Sequence, residues 1–293
     1  MIMDGHCHVW ENWPYQPPVP DGSSRARTEQ LLYEMDGAGV ERAVLICARI
    51  GDNPRNIDYA FEAAGAHPGR FVVFPDIDCR WSADYRQPGA AKRLEEALAR
   101  WDLRGFTHYI EEAEDGTWLS SEEGIAFFGV AAERRLVASL SVLPHQVAAV
   151  IDVARRFPGL QILLHHFGFL GPRTEATPRA REMVLAAAGC SNIHVKYSGI
   201  GNVAAIGQEY PYPDLHWIIR EVSAAFGPAR LIWGSDYPVS RRHMTYAQSL
   251  SLATRQGPFA GDDLAGVLGG NLSKLLLADV SGASQPSDKE ALE

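Results

Sequence analysis

The sequence is poor in the features that would take it away from ordinary soluble chemistry. Its four cysteines, Cys7, Cys47, Cys79 and Cys190, show no CxxC spacing, so no cysteine framework is read from them. Three sit in or beside apolar runs, where a reduced thiol acts as a small hydrophobe, and a reducing cytoplasm is the expected location. No apolar run approaches the roughly eighteen residues of a membrane span, and the first residues lack the basic-then-apolar order of an export signal. Positive charge is short: 27 Lys and Arg against 36 Asp and Glu leave a formal charge of −9. That excludes nucleic acid and an anionic membrane surface as partners. No linker rich in Gly, Ser or Pro interrupts the middle of the chain, so residues 1–280 read as one domain. The last stretch, "SGASQPSDKEALE" at 281–293, is too polar to join a core and is expected to be a disordered tail.

What is present is one rhythm. Short apolar, β-branched runs recur at 2–7, 42–48, 70–77, 103–110, 136–143, 161–166, 192–198 and 230–236. Between them lie helical spacings, such as Leu31, Leu32, Met35 and Val40 after the candidate cap Thr28, or Val147, Val150, Ile151 and Val153. Strands separated by crossover helices pair in parallel, and eight at spacings of roughly thirty residues suit an α/β fold of the (β/α)8 TIM-barrel type. A doubly wound open sheet is the other arrangement this order allows.

In "MDGHCHVW" at 3–10, His6 and His8 stand two apart, so a strand projects both to one side and Cys7 to the other. Barrel active sites lie at the C-terminal ends of the strands, which predicts an imidazole pair facing the site rather than solvent. His165 and His166 close the sixth run, and strand alternation predicts that only one of them faces inward. Asp236 ends the eighth, beside the first strand if the barrel closes, where its carboxylate serves as a general base or a metal ligand. The bland reading of Asp236 is a turn residue.

The ordered set of His-x-His, "HHFG", "VKYSG", "WGSDYP" and "GGNLSKLL" is similar to the amidohydrolase superfamily, in its amidohydrolase-related (amidohydrolase 2) branch, over nearly the whole chain. The resemblance assigns His6, His8, His166 and Asp236 to a divalent metal site and gives Asp236 and His166 the catalytic roles. It also selects His166 as the inward member of the doublet. Members that hold metal tightly usually carry a histidine ending strand five; here Ser141 stands near that end, and His145 lies beyond a proline. The resemblance therefore implies zinc or manganese held weakly or absent, and is closest in pattern to the branch's lactonases, such as pyrone-dicarboxylate lactonase.

Hydrolysis of a cyclic ester needs a deprotonated water and a positive partner for the oxyanion, which this set supplies. Arg49, Arg80, His108, Tyr109, Ser141 and Lys196 are the expected substrate contacts from other strand ends, with arginine suited to a carboxylate. Trp10, Trp13 and Tyr15 in "WENWPYQPPVP" are placed to roof the pocket. The expected partner is a small molecule; a homo-oligomer is allowed. The competing readings are a metal-dependent, non-oxidative decarboxylase of an aromatic or muconate-type acid, and a barrel that only binds its ligand.

Overall fold

The computed structural model describes residues 1–277, so the tail expected at 281–293 lies outside the described residues. Eight strands form where the apolar runs predict them: β1 (Met3–Cys7), β2 (Arg42–Ile46), β3 (Phe71–Phe74), β4 (Gly105–Tyr109), β5 (Val137–Ser141), β6 (Gln161–Leu164), β7 (Ile193–Tyr197) and β8 (Leu231–Trp233). They alternate with α1 (Thr28–Gly37), α2 (Asn56–Ala66), α3 (Ala90–Arg100), α4 (Glu122–Glu133), α5 (Val147–Arg156), α6 (Pro178–Ala186), α7 (Ile200–Val203), α8 (His216–Phe226) and α9 (Tyr246–Thr254). Thr28 is not the cap of α1: Arg27 holds that position, and the Thr28 hydroxyl reaches the Tyr59 phenol oxygen at 3.1 Å.

All strand pairs are parallel, in the orders β1-β2-β3 and β4 through β8. Two seams join these runs into a ring. At one, the Asp236 amide donates to the His6 carbonyl and the His8 amide to that of Tyr237, both at 2.7 Å. At the other, Thr107 donates to Pro75 at 2.9 Å and receives the Ile77 amide at 3.0 Å. The fold is a (β/α)8 barrel, and the open sheet is set aside. The first seam needs glycine: a Cβ on Gly234 would lie 2.7 Å from His6 Cβ and 2.9 Å from His6 N.

Both faces of such strands are buried, so they read as continuous apolar runs. In β2, Ala43 and Leu45 join the core between barrel and helices, whereas Val44 and Ile46 join Met3, Phe74, Val137, Leu163 and Ile232 in a second cluster inside the barrel. Leu272 and Leu276, from the helix Asn271–Leu277, belong to that inner cluster. One pleat further along, the interior turns polar. Ser139 follows Val137 and His165 follows Leu163, two residues on and therefore on the same face. An irregularity in the β1 register between Asp4 and Cys7 lets His6 join this polar layer although Met3 already faces inward.

Candidate active site

Asp236 is the centre of the strand-end cluster. The chain enters the left-handed region there, with φ 56°, and this brings the carboxylate back over the barrel mouth. Its Oδ1 lies 3.4 Å from His6 Nε2, 3.5 Å from His8 Nε2 and 3.7 Å from His166 Nε2. Asn202, just after β7, donates to Oδ2 at 2.8 Å. Asp236 is fully enclosed, at 1% exposure. Burial pushes its carboxyl upward, but His166, His8 and Asn202 outweigh burial and hold it below the usual carboxylate range.

Each imidazole is oriented through its other nitrogen. His8 Nδ1 donates to the Ile46 carbonyl at 2.7 Å, which leaves a lone pair on Nε2. His166 Nδ1 meets the Ser198 hydroxyl at 2.9 Å, and His6 Nδ1 meets Lys196 Nζ at 2.7 Å. Lys196 also donates to Ser139 Oγ at 2.7 Å, and that oxygen lies 2.8 Å from His165 Nε2. Burial pulls the His166 pKa down to about 4 against the raising influence of Asp236. Burial, then Lys196, takes His6 and His165 well below their ordinary value, and burial lowers Lys196 likewise. His6, His165 and His166 are uncharged at neutral pH by these directions.

The donor set fits a divalent cation. His6 Nε2, His8 Nε2 and Asp236 Oδ1 form a triangle with sides of 3.2, 3.4 and 3.5 Å, and bonds of about 2.0–2.2 Å in tetrahedral geometry require edges of roughly 3.3–3.5 Å. His166 Nε2 lies 3.7 Å from the same carboxylate oxygen. Although no histidine ends strand five, His6, His8 and Asp236 already bring three donor atoms to ligand spacing. His145 itself points to Glu175, 3.6 Å away, in a separate cleft.

A cavity of about 480 Å³ opens above His8, His166 and Asp236. Of the expected substrate contacts, Arg80, Tyr109 and Ser141 line it, and Tyr15 contributes from the loop after β1. Three others do not. Arg49 is committed to the buried Asp76 at 3.2 Å, in another cleft. His108 is enclosed between the Ile77 carbonyl, 3.0 Å away, and Arg86, 3.3 Å away. Lys196 lies beneath His6, wholly buried. Trp10 stacks on His8 with ring centroids 4.8 Å apart rather than roofing the cavity, and Trp13 packs on Tyr15.

The doublet also departs from expectation. Alternation turns His165 inward, in phase with Leu163, while His166 falls after β6 has ended, where φ is 47°. The turn swings His166 inward too, and both side chains are buried at the barrel end. Gly199 makes room: a Cβ there would lie 2.3 Å from His166 Nδ1. Sequence reasoning missed Asn202, Arg173 and Arg242, all of which line the cavity. They stand in the segments that follow β6, β7 and β8, Asn202 within α7, so only the rule that barrel sites gather after strand ends could have flagged them. It also missed Asp4, whose carboxylate takes the Ser235 amide at 2.9 Å, the His6 amide at 3.0 Å and the Tyr246 hydroxyl at 2.9 Å, tying β1 to the segment after β8.

A hydrolytic centre at the C-terminal end of a closed barrel is what this geometry describes. The chain belongs to the Amidohydrolase family, whose pattern it matches over residues 3–276, and it is an enzyme of that family. It is 31% identical over 252 residues to an L-fucono-1,5-lactonase of Burkholderia ambifaria, covering 82% of this chain and 81% of that protein. An amidohydrolase of Burkholderia multivorans, solved with bound zinc, shares the fold with a TM-score of 0.77 at 22% identity, over 94% of this chain and 99% of that one. A probable 2-pyrone-4,6-dicarboxylic acid hydrolase of Acinetobacter baumannii, solved with citric acid, has a TM-score of 0.70 at 16% identity, over 94% and 98% of the two chains.

Proposed function

We propose that the protein hydrolyses a lactone, with a carboxylated lactone the favoured form, and that Asp236 is the general base. The observation that carries this reading is the convergence of three imidazole Nε2 atoms within 3.4–3.7 Å of one carboxylate oxygen at the floor of the cavity. The lactonase relative supports the ester class. Arg173 and Arg242 support the carboxylate: both line the cavity, neither has an acidic partner among the described residues, and Arg242 contacts only the Val239 carbonyl and the Tyr15 ring there.

A divalent ion held by His6, His8 and Asp236, with His166 alongside, would polarise the lactone carbonyl and acidify a water. The chain's own groups carry the protons. Asp236, ionised at neutral pH, accepts the proton of the attacking water as its oxygen bonds to the carbonyl carbon. His166, with Nδ1 accepting from Ser198, keeps its proton and donates a hydrogen bond from Nε2 to the developing oxyanion. Collapse breaks the ring carbon–oxygen bond, and the proton on Asp236 passes to the departing alkoxide. Arginines at 173 and 242 orient a substrate carboxylate, and Asn202 fixes the Asp236 carboxylate plane through Oδ2.

Incubation of the purified protein with neutral and carboxylated γ- and δ-lactones, followed by acid release, tests the reading. Acid release without CO2 is expected, faster with the carboxylated compounds. CO2 from an aromatic acid would replace it with the decarboxylase, and no turnover of any lactone would leave a binding barrel.

A further inference from the structure

A second cavity, of about 460 Å³, lies beside the first and shares His8, Tyr15, Arg80 and Tyr109 with it. The rest of its wall differs in character. Pro14, Ala48, Ile50 and Trp81 are apolar, with Glu111 the one additional charged residue, whereas the first cavity adds Arg173, Arg242, Thr174, Asn202 and Gln146. The apolar wall is fixed before anything binds. Trp81 Nε1 donates to Asp76 at 2.5 Å, and its ring lies 4.6 Å from that of Tyr109. Across the lobe, the loop after β1 is tied down by Trp10 Nε1 on the Ala48 carbonyl at 2.8 Å and by Asn53 Nδ2 on the Asn12 carbonyl at 2.9 Å.

His8, Tyr15, Arg80 and Tyr109 line both cavities, so the second adjoins the first on the side of His8. We infer that this second lobe is a subsite for an apolar substituent of the substrate, aliphatic or aryl. The substrate class is then an amphiphilic lactone: a polar ring faces Asp236 and the arginines, and a hydrocarbon arm lies between Ile50 and Trp81. Preformed apolar walls of this kind gain from each methylene removed from water, without first ordering a loop. The inference rests on the placement of the reacting ring beside Asp236.

The test is a series of δ-lactones, unsubstituted and carrying butyl and hexyl arms, alongside calorimetric titration with the matching δ-lactams. Affinity for the lactams and kcat/KM for the lactones should rise about threefold to fourfold per methylene over the first few carbons. Ile50→Trp, which fills the lobe, should flatten both series while leaving the unsubstituted lactone within about twofold of the parent rate, and a thermal melt checks that the variant is folded. Affinity independent of arm length, or an equal loss for every compound in Ile50→Trp, overturns the subsite. Ile50→Ala provides a second reading if the tryptophan variant does not fold, and should weaken only the armed compounds. Arm-dependent lactam binding without hydrolysis of any lactone would retain the subsite and reject the hydrolytic function.

Discussion

His165 and His166 are consecutive, yet both turn into the barrel, the first onto Ser139 at 2.8 Å and the second onto Ser198 at 2.9 Å. They reach it by different routes: His165 by strand alternation, His166 by a left-handed turn. Only His166 approaches Asp236 within ion-pair distance. His166→Ala is therefore expected to abolish turnover, and His165→Ala to lower stability and leave measurable kcat. Steady-state kinetics and thermal unfolding on the two variants check this, and the reverse ranking would transfer the catalytic assignment to His165.

Lys196 separates a positioning role from substrate contact. It sits wholly buried against His6 Nδ1, outside the cavity wall. Lys196→Met should lower kcat by about tenfold or more with KM near the parent value, since it disturbs His6 and leaves the binding walls alone. A raised KM at unchanged kcat would restore the substrate contact expected from sequence.

Gly199 tests how tightly His166 is held. Its φ of 65° already disfavours a side chain, and an added Cβ would meet the His166 ring 2.3 Å away. Gly199→Ala should cost activity and roughly 1–3 kcal/mol of stability, read by kinetics and chemical denaturation.

Much of this was legible in the sequence because a parallel barrel writes its strands as apolar runs. All eight runs formed strands, and the i, i+2 rule placed His6 and His8 together. The rule failed at His166 because β6 stops at Leu164, and nothing in "QILLHH" marks where extended backbone gives way to a left-handed turn. Arg49 follows β2 and His108 lies within the last residues of β4, but their partners, Asp76 and Arg86, come from other loops. Pairing of that kind is set by tertiary packing and has no local signature. Arg173 and Arg242 were missed for the complementary reason: what marks them is a place in the cavity wall without an acidic partner among the described residues, which only the folded chain shows.

The depressed pKa of His166 has a stability consequence. Its folded value is about 4 against an ordinary 6.5, so the folded state resists protonation that the unfolded chain accepts. Stability is full above about pH 6.5 and falls as the pH drops toward 4. The metal-free parent should lose more thermal stability between pH 7 and 4.5 than His166→Gln, which has no proton to take up. Equal losses in both proteins would show that His166 is not the group responsible.

Asp236→Asn is the most direct test of the account, because asparagine keeps the shape of the side chain and removes the basic oxygen. Measured at saturating lactone, with circular dichroism confirming the fold, kcat is predicted to fall by a factor on the order of 10²–10⁴. Turnover above about half the parent rate would reduce Asp236 to a turn residue, as asparagine makes the same turn contacts, and would contradict its assignment as the base.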